Sequence, residues 1–175
     1  VKYILILLII FSTSCQSIKE IPTSERFNLV DNGHNIMVYN EKRIGQLVCN
    51  DSFIFKESIY YDNDFNKISS SISGLYPHYL EIFDKNQNYI GDINLVKTYS
   101  SDSKMFFIIN DIESSIIYKT NAFSNLPRTI SFYCGDVKSA TIRCYDGKWS
   151  MIIYDNKVNI NLFIHLFKSI KGLST

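Results

Sequence analysis

From Phe27 onward the chain is a succession of short apolar runs, each a few residues long and each closed by a cluster of Asn, Asp or Ser. Runs this short do not give a helix its continuous apolar stripe, which takes about 10 residues or more, but they match the length of a strand. The residue types agree. Twelve Tyr and twelve Phe stand against seven Gly and three Pro, with many Ile and little Ala, so strand formers dominate helix formers. Asn, Asp and Ser between the runs supply turns, because their side chains bond the nearby backbone and Asn tolerates positive φ. The reading is a mainly β domain, an antiparallel meander that forms either a barrel or a sandwich.

Two stretches share one pattern. Ile36-Met37-Val38-Tyr39-Asn40 leads through a polar turn to Ile44-Gly45-Gln46-Leu47-Val48, and Leu80-Glu81-Ile82-Phe83-Asp84 leads likewise to Ile90-Gly91-Asp92-Ile93-Asn94-Leu95. Each is strand, turn, Ile-Gly, strand, and a Gly at that place predicts a bulge or the close approach of a neighbouring strand. Weaker echoes lie at 106–117, around Asn110-Asp111, and at 142–153, where Tyr145-Asp146-Gly147-Lys148 carries the Asp-Gly signal of a tight hairpin. The spacing is too irregular for a solenoid. Residues 158–170 (VNINLFIHLFKSI) fit two periods. Alternation at Val158, Ile160, Leu162, Ile164 and Leu166 suits a strand, while the length of the run and Lys168 and Lys171 ahead of Gly172 favour an apolar C-terminal helix. On that helix Asn161, His165, Lys168 and Ser169 share one arc opposite a wide apolar face, which places His165 at an exposed or interfacial position.

Strand-turn-strand units of this form, ending in a largely apolar helix, resemble the tubby C-terminal superfamily, which includes phospholipid scramblases and their plant relatives. The resemblance covers 27–171 and implies a β-barrel closed around a hydrophobic helix. Family members bind membranes or phosphoinositides through basic residues that have no match in this sequence, so no site residue is carried over.

The N-terminal segment sets an address. Val1 and Lys2 precede an apolar run over 3–11, then Ser12-Thr13-Ser14, then Cys15 and Gln16. The run is too short to cross a bilayer as a helix, which takes about 20 residues, but it suits the apolar region of an export signal. Small residues followed by cysteine resemble the lipobox of bacterial lipoproteins, with one departure: Ser12 stands where that family usually has Leu. The resemblance implies removal of 1–14 and diacylation of the Cys15 thiol, giving a lipidated Cys15 and tether over 15–26 and a single β-rich domain over 27–175. Gln16 rather than Asp after the cysteine points, by the same resemblance, to the outer membrane in a Gram-negative cell. The expected partners are the membrane, through acylated Cys15, and an envelope protein, lipid or glycan.

Charge offers no footprint for nucleic acid. Eighteen Lys and Arg face seventeen Asp and Glu, interspersed along the chain, and loss of Lys2 with the signal leaves the two signs equal. Neither a phosphate-cradling glycine loop nor a dinucleotide fingerprint occurs, and His34, His78 and His165 are spaced unlike any ligand set, so no cofactor, metal or catalytic residue is assigned. Among the carboxylates Asp62, Asp64, Glu81, Asp84, Asp111 and Glu113, a pair meeting across a β surface would make a lipid-anchored hydrolase the alternative to a non-enzymatic binding or structural module. Asp62-Asn63-Asp64 looks like a calcium loop but lacks the Gly and distal Glu, which favours a plain turn. Tyr60, Tyr61, Tyr76 and Tyr79 suit cross-strand packing better than a ligand groove. If the runs holding Cys134 and Cys144 pair across the shortest loop, Cys134 faces Ala140 and Cys144 faces Ile130, too far apart for a disulfide. Cys49, Cys134 and Cys144 are therefore expected as small buried thiols.

Overall fold

A computed structural model describes residues 24–33, 35–51, 56–73, 79–98 and 103–171. The segment expected to be an export signal, Cys15, His34, Tyr76 and His78 lie outside them. Twelve strands follow in chain order: β1 (Glu25–Asp31), β2 (Asn35–Asn40), β3 (Lys42–Asp51), β4 (Lys56–Asp62), β5 (Lys67–Ser73), β6 (Tyr79–Asp84), β7 (Tyr89–Lys97), β8 (Met105–Asp111), β9 (Ile116–Thr120), β10 (Thr129–Cys134), β11 (Val137–Tyr145) and β12 (Lys148–Ile153). Among the described residues one helix, α1 (Ile160–Lys171), follows β12. Each strand pairs antiparallel with its sequence neighbours, and β1 closes the sheet by pairing with β12, Phe27 opposite Met151. The choice between barrel and sandwich thus falls to a closed barrel, and the ambiguous C-terminal segment is a helix.

Because every connection joins adjacent antiparallel strands, the turns alternate between two rims. The proximal rim carries the β2–β3, β4–β5, β6–β7, β8–β9 and β10–β11 turns, the start of β1 and the link from β12 to α1. The distal rim carries the remaining turns, among them Asp146-Gly147, whose φ values of 49° and 72° give the tight hairpin that Asp-Gly predicts.

A barrel of about 8 strands is filled by its own side chains, and wider ones leave a lumen. Here α1 occupies it. Leu162, Phe163, Ile164, Leu166, Phe167 and Ile170 are at most 3% exposed, so the helix is covered on all sides by the wall. Aromatic edges meet it along its length: Tyr118 and Phe132 pack on Phe163 at ring distances of 5.5 and 5.2 Å, and Trp149 on Phe167 at 6.0 Å. At its start Asn159 is the cap, its Oδ1 accepting from the Asn161 N–H at 3.1 Å while its Nδ2 donates to Glu113 Oε2 at 3.1 Å in the β8–β9 turn.

The wall makes room for the helix through a repeated device. In four proximal hairpins the second strand carries one extra residue just past the turn: Ile44 in β3, Ile68 in β5, Ile90 in β7 and Ser139 in β11. Each bulge is followed by a small buried residue, respectively Gly45, Ser69, Gly91 and Ala140. The Ile-Gly pattern read from the sequence is two of these four. A Cβ on Gly45 would overlap the Tyr61 carbonyl oxygen and lie 2.8 Å from the Tyr60 ring. One on Gly91 would overlap the Asn110 carbonyl oxygen and lie 3.1 Å from Leu162 Cδ2 on α1.

The cysteines follow the expectation by a different register. β10 and β11 are joined by Gly135-Asp136, so Cys134 faces Val137 and Ile130 faces Ile142, while Cys144 faces Trp149 on β12. Among the described residues Cys49, Cys134 and Cys144 form no disulfide, and all three are partly rather than fully buried.

Gly91→Ala is expected to lower stability by about 2–3 kcal/mol, because neither a backbone carbonyl nor a helix seated in the barrel can shift cheaply. Gly33→Ala, in open space at a φ of 92°, is expected to cost about 1 kcal/mol from backbone strain alone. Urea midpoints of the two variants beside wild type check the order.

Candidate functional site

Two polar clusters stand out, one inside the barrel and one on its wall. Inside, His165 is wholly buried, which corrects the exposed or interfacial position expected for it. The arc it shares with Lys168 turns to the β4 and β5 side of the wall, where the inward positions are serines. Ser58 Oγ lies 2.9 Å from His165 Nδ1, Ser69 Oγ 3.0 Å from Nε2, and Ser58 Oγ 2.7 Å from Ser71 Oγ, its partner across the ladder. All three serines are fully buried. A neutral imidazole has one donor and one acceptor nitrogen, and rotating hydroxyls complete the chain Ser71–Ser58–His165–Ser69 in either tautomer. Burial, reinforced by the Lys168 ammonium, pushes the His165 pKa down to about 3, so the ring is neutral in any physiological medium.

A serine hydroxyl on a histidine nitrogen is the first element of a nucleophile and base pair. This one does not develop further. Both ring nitrogens are spent on hydroxyls, so no carboxylate orients the imidazole, and the helix and wall enclose all of its atoms. The cluster sets the rotation and depth of α1 in the barrel. The signal for it in the sequence is the run Ser69-Ser70-Ser71 in an otherwise strand-forming segment, facing a histidine in an apolar one.

On the outer wall, Asp92 in β7 is buried beneath its neighbours although it faces away from the lumen. Its Oδ1 accepts from Asn94 Nδ2 at 2.8 Å and Asn110 Nδ2 at 2.7 Å, and its Oδ2 accepts from the Tyr89 hydroxyl at 2.6 Å. Burial, with the hydrogen bond to Asp92 next, pushes the Tyr89 phenol well above its ordinary pKa. Exposed Glu81 lies directly opposite Asp92 across the β6–β7 ladder.

The carboxylates singled out in the sequence go to separate places. Asp62 and Asp84 make equivalent turns: Asp62 accepts from the Asp64 and Asn66 N–H groups and from Asn66 Nδ2, and Asp84 from the Asn86 and Asn88 N–H groups and from Asn88 Nδ2, all at 2.8–3.0 Å. Those bonds, the Asn side chains first, hold both carboxyls below their ordinary pKa. Asp62-Asn63-Asp64 is therefore a turn with its oxygens committed. Asp64 and Glu113 are exposed, and buried Asp111 accepts from the Ser114 N–H at 3.2 Å. Of these, only Glu81 meets another carboxylate across the wall, and its partner Asp92 carries no signal in the sequence because it reads as one more strand residue. Among the tyrosines, Tyr60 packs in the core and Tyr79 stands opposite Asn94.

No protein-family model and no curated protein matches the sequence. Among solved structures, an X-ray structure of a protein from Arabidopsis thaliana is similar, with a TM-score of 0.56 over 89% of this chain and 94% of that one, at 11% identity. The likeness is one of fold.

His165 ties stability to pH. The unfolded chain, with an ordinary histidine pKa of 6.5, binds a proton that the folded chain refuses until about pH 3. The contribution is complete above 6.5 and is lost as pH falls toward 3, to a limit of about 5 kcal/mol. The Asp62 and Asp84 turns add to the loss only as pH falls below their ordinary value of 3.8. His165→Phe is expected to cost about 2–4 kcal/mol at pH 7, by stranding Ser69 and weakening Ser58, and to flatten the dependence between pH 6.5 and 4.5. Urea titrations across that range compare the two proteins.

Proposed function

We propose that this chain is a membrane-tethered, non-enzymatic binding or structural module of the bacterial cell envelope, held by an acylated Cys15 and, in a Gram-negative cell, displayed at the outer membrane. The observation that carries the binding reading is the filled lumen. With α1 buried from Leu162 to Phe167, the described domain presents its outer wall and its rims to an envelope protein, lipid or glycan. The same architecture supports a tubby-like or scramblase-like barrel, since an apolar helix inside a closed antiparallel barrel is what that resemblance implies. The anchor rests on the order of charge, apolar run, small residues and cysteine in 1–16.

A lipid-anchored hydrolase is the second reading, favoured by one observation: Glu81 and Asp92 are register partners on an accessible wall. Against it, both oxygens of Asp92 already accept hydrogen bonds from three side chains, an arrangement suited to stiffening the wall.

The anchor is tested by expressing wild type and Cys15→Ala in bacteria fed labelled palmitate. Wild type is expected to carry label and sediment with membranes, and the variant to lose both. Equal labelling of the two would overturn lipidation at this residue.

A further inference from the structure

We propose that the proximal rim of the barrel rests on the lipid bilayer, with Phe65, Ile112 and Val137 entering its interface. The inference builds on the reading of Cys15 as a lipid anchor and adds which end of the domain meets the membrane. Its first support is topological. β1 begins at Glu25 on the proximal rim, so the chain leading back to Cys15 leaves the barrel at that end. Ten residue steps separate Cys15 from Glu25, and fully extended they reach at most about 35 Å. A lipid on Cys15 therefore keeps the proximal rim within about 35 Å of the bilayer surface, whereas the bound on the distal rim is looser by the length of the strands.

The second support is what the rim displays. Phe65 in the β4–β5 turn is 67% exposed, Ile112 in the β8–β9 turn 51%, and Val137 at the β10–β11 turn 65%. Single exposed apolar residues are ordinary, and the distal end also exposes Val30, Ile72 and Tyr145, but on the proximal rim Phe65 and Ile112 lie within the turns themselves and Val137 directly after one, spaced around the ring. Phe65 also has a φ of 59°, a left-handed conformation that is uncommon for a bulky side chain and that Asn or Gly would adopt at less cost. The equivalent position of the matching Asp84 turn is Gln87, at 70°. A largely exposed aromatic ring on a left-handed turn residue points to a surface that covers it.

Electrostatics sets the kind of contact. Counting the strand ends that bound them, the six proximal connections hold eight Asp and Glu against four Lys, so attraction to anionic lipid does not drive the rim down. Apolar burial does, as each large side chain is removed from water. Such a contact is weak for a free domain but sufficient for one whose anchor keeps it at the surface and so raises its effective concentration there.

Reporter tryptophans in the full chain test this. In a Trp149→Phe background, Phe65→Trp and Val137→Trp place reporters on the proximal rim, and Tyr145→Trp places one in the exposed distal turn. Acylated protein, its palmitate label confirmed, is reconstituted into vesicles of phosphatidylcholine brominated high in the acyl chain. Blue-shifted emission and several-fold stronger quenching at 65 and 137 than at 145 are expected. Equal quenching at the three positions, none at 65 and 137, or quenching at 145 alone would overturn the orientation while leaving the anchor standing. Absence of palmitate label would instead remove the anchor and the proposal with it. A concentration-dependent blue shift at 65 without vesicles would assign the rim to a second copy of the chain and also overturn it.

Discussion

The lumen of a closed twelve-stranded sheet is wider than the side chains of its own wall can fill, and in this protein α1 supplies the missing volume. A helix with its side chains is roughly 10–12 Å across, and it brings its own backbone hydrogen bonds, so only side chains have to be accommodated by the wall. Much else in the fold is an adjustment to that insertion. The inward residues after four proximal bulges are the small Gly45, Ser69, Gly91 and Ala140, and at the two glycines a Cβ would strike a neighbouring strand. The aromatic edges of Tyr118, Phe132 and Trp149 then fill the gaps that small residues leave.

An apolar cylinder inside an apolar wall could rotate or slide at little cost, because dispersion contacts are not directional. The serine and histidine cluster removes that freedom. A turn or two of displacement would strand Ser58, Ser69 and His165 without partners in a site that excludes water, and an unmet buried polar group costs about 1–3 kcal/mol. Such penalties make one placement of α1 preferred over its neighbours. The same burial keeps the imidazole neutral and closed to substrate, so the contact of serine with histidine serves the architecture instead.

With the interior committed, the surfaces left for interaction are the wall and the two rims, and they differ in kind. The β6–β8 wall is polar and braced, with Asp92 gathering two asparagines and a tyrosine. The proximal rim mixes carboxylates locked in Asx turns with exposed apolar tips, and it is the end from which the chain runs back toward Cys15.

Strand character, the hairpin repeat, the bulging role of Ile-Gly and the tight Asp-Gly turn were legible from the sequence, because each rests on a local backbone preference. So was the turn at Asp62, since an Asx turn is made by its own neighbours. Tertiary structure alone decided the rest. Alternation in 158–170 served strand and helix equally until the lumen required a helix, and a polar arc that ordinarily faces water was turned inward to serines more than ninety residues earlier in the chain. Asp92 became the centre of a network only when β8 brought Asn110 beside it. Periodicity and turn chemistry are written in neighbouring residues; which face is buried, and against what, depends on closure of the sheet, and closure joins β1 to β12 across nearly the whole domain.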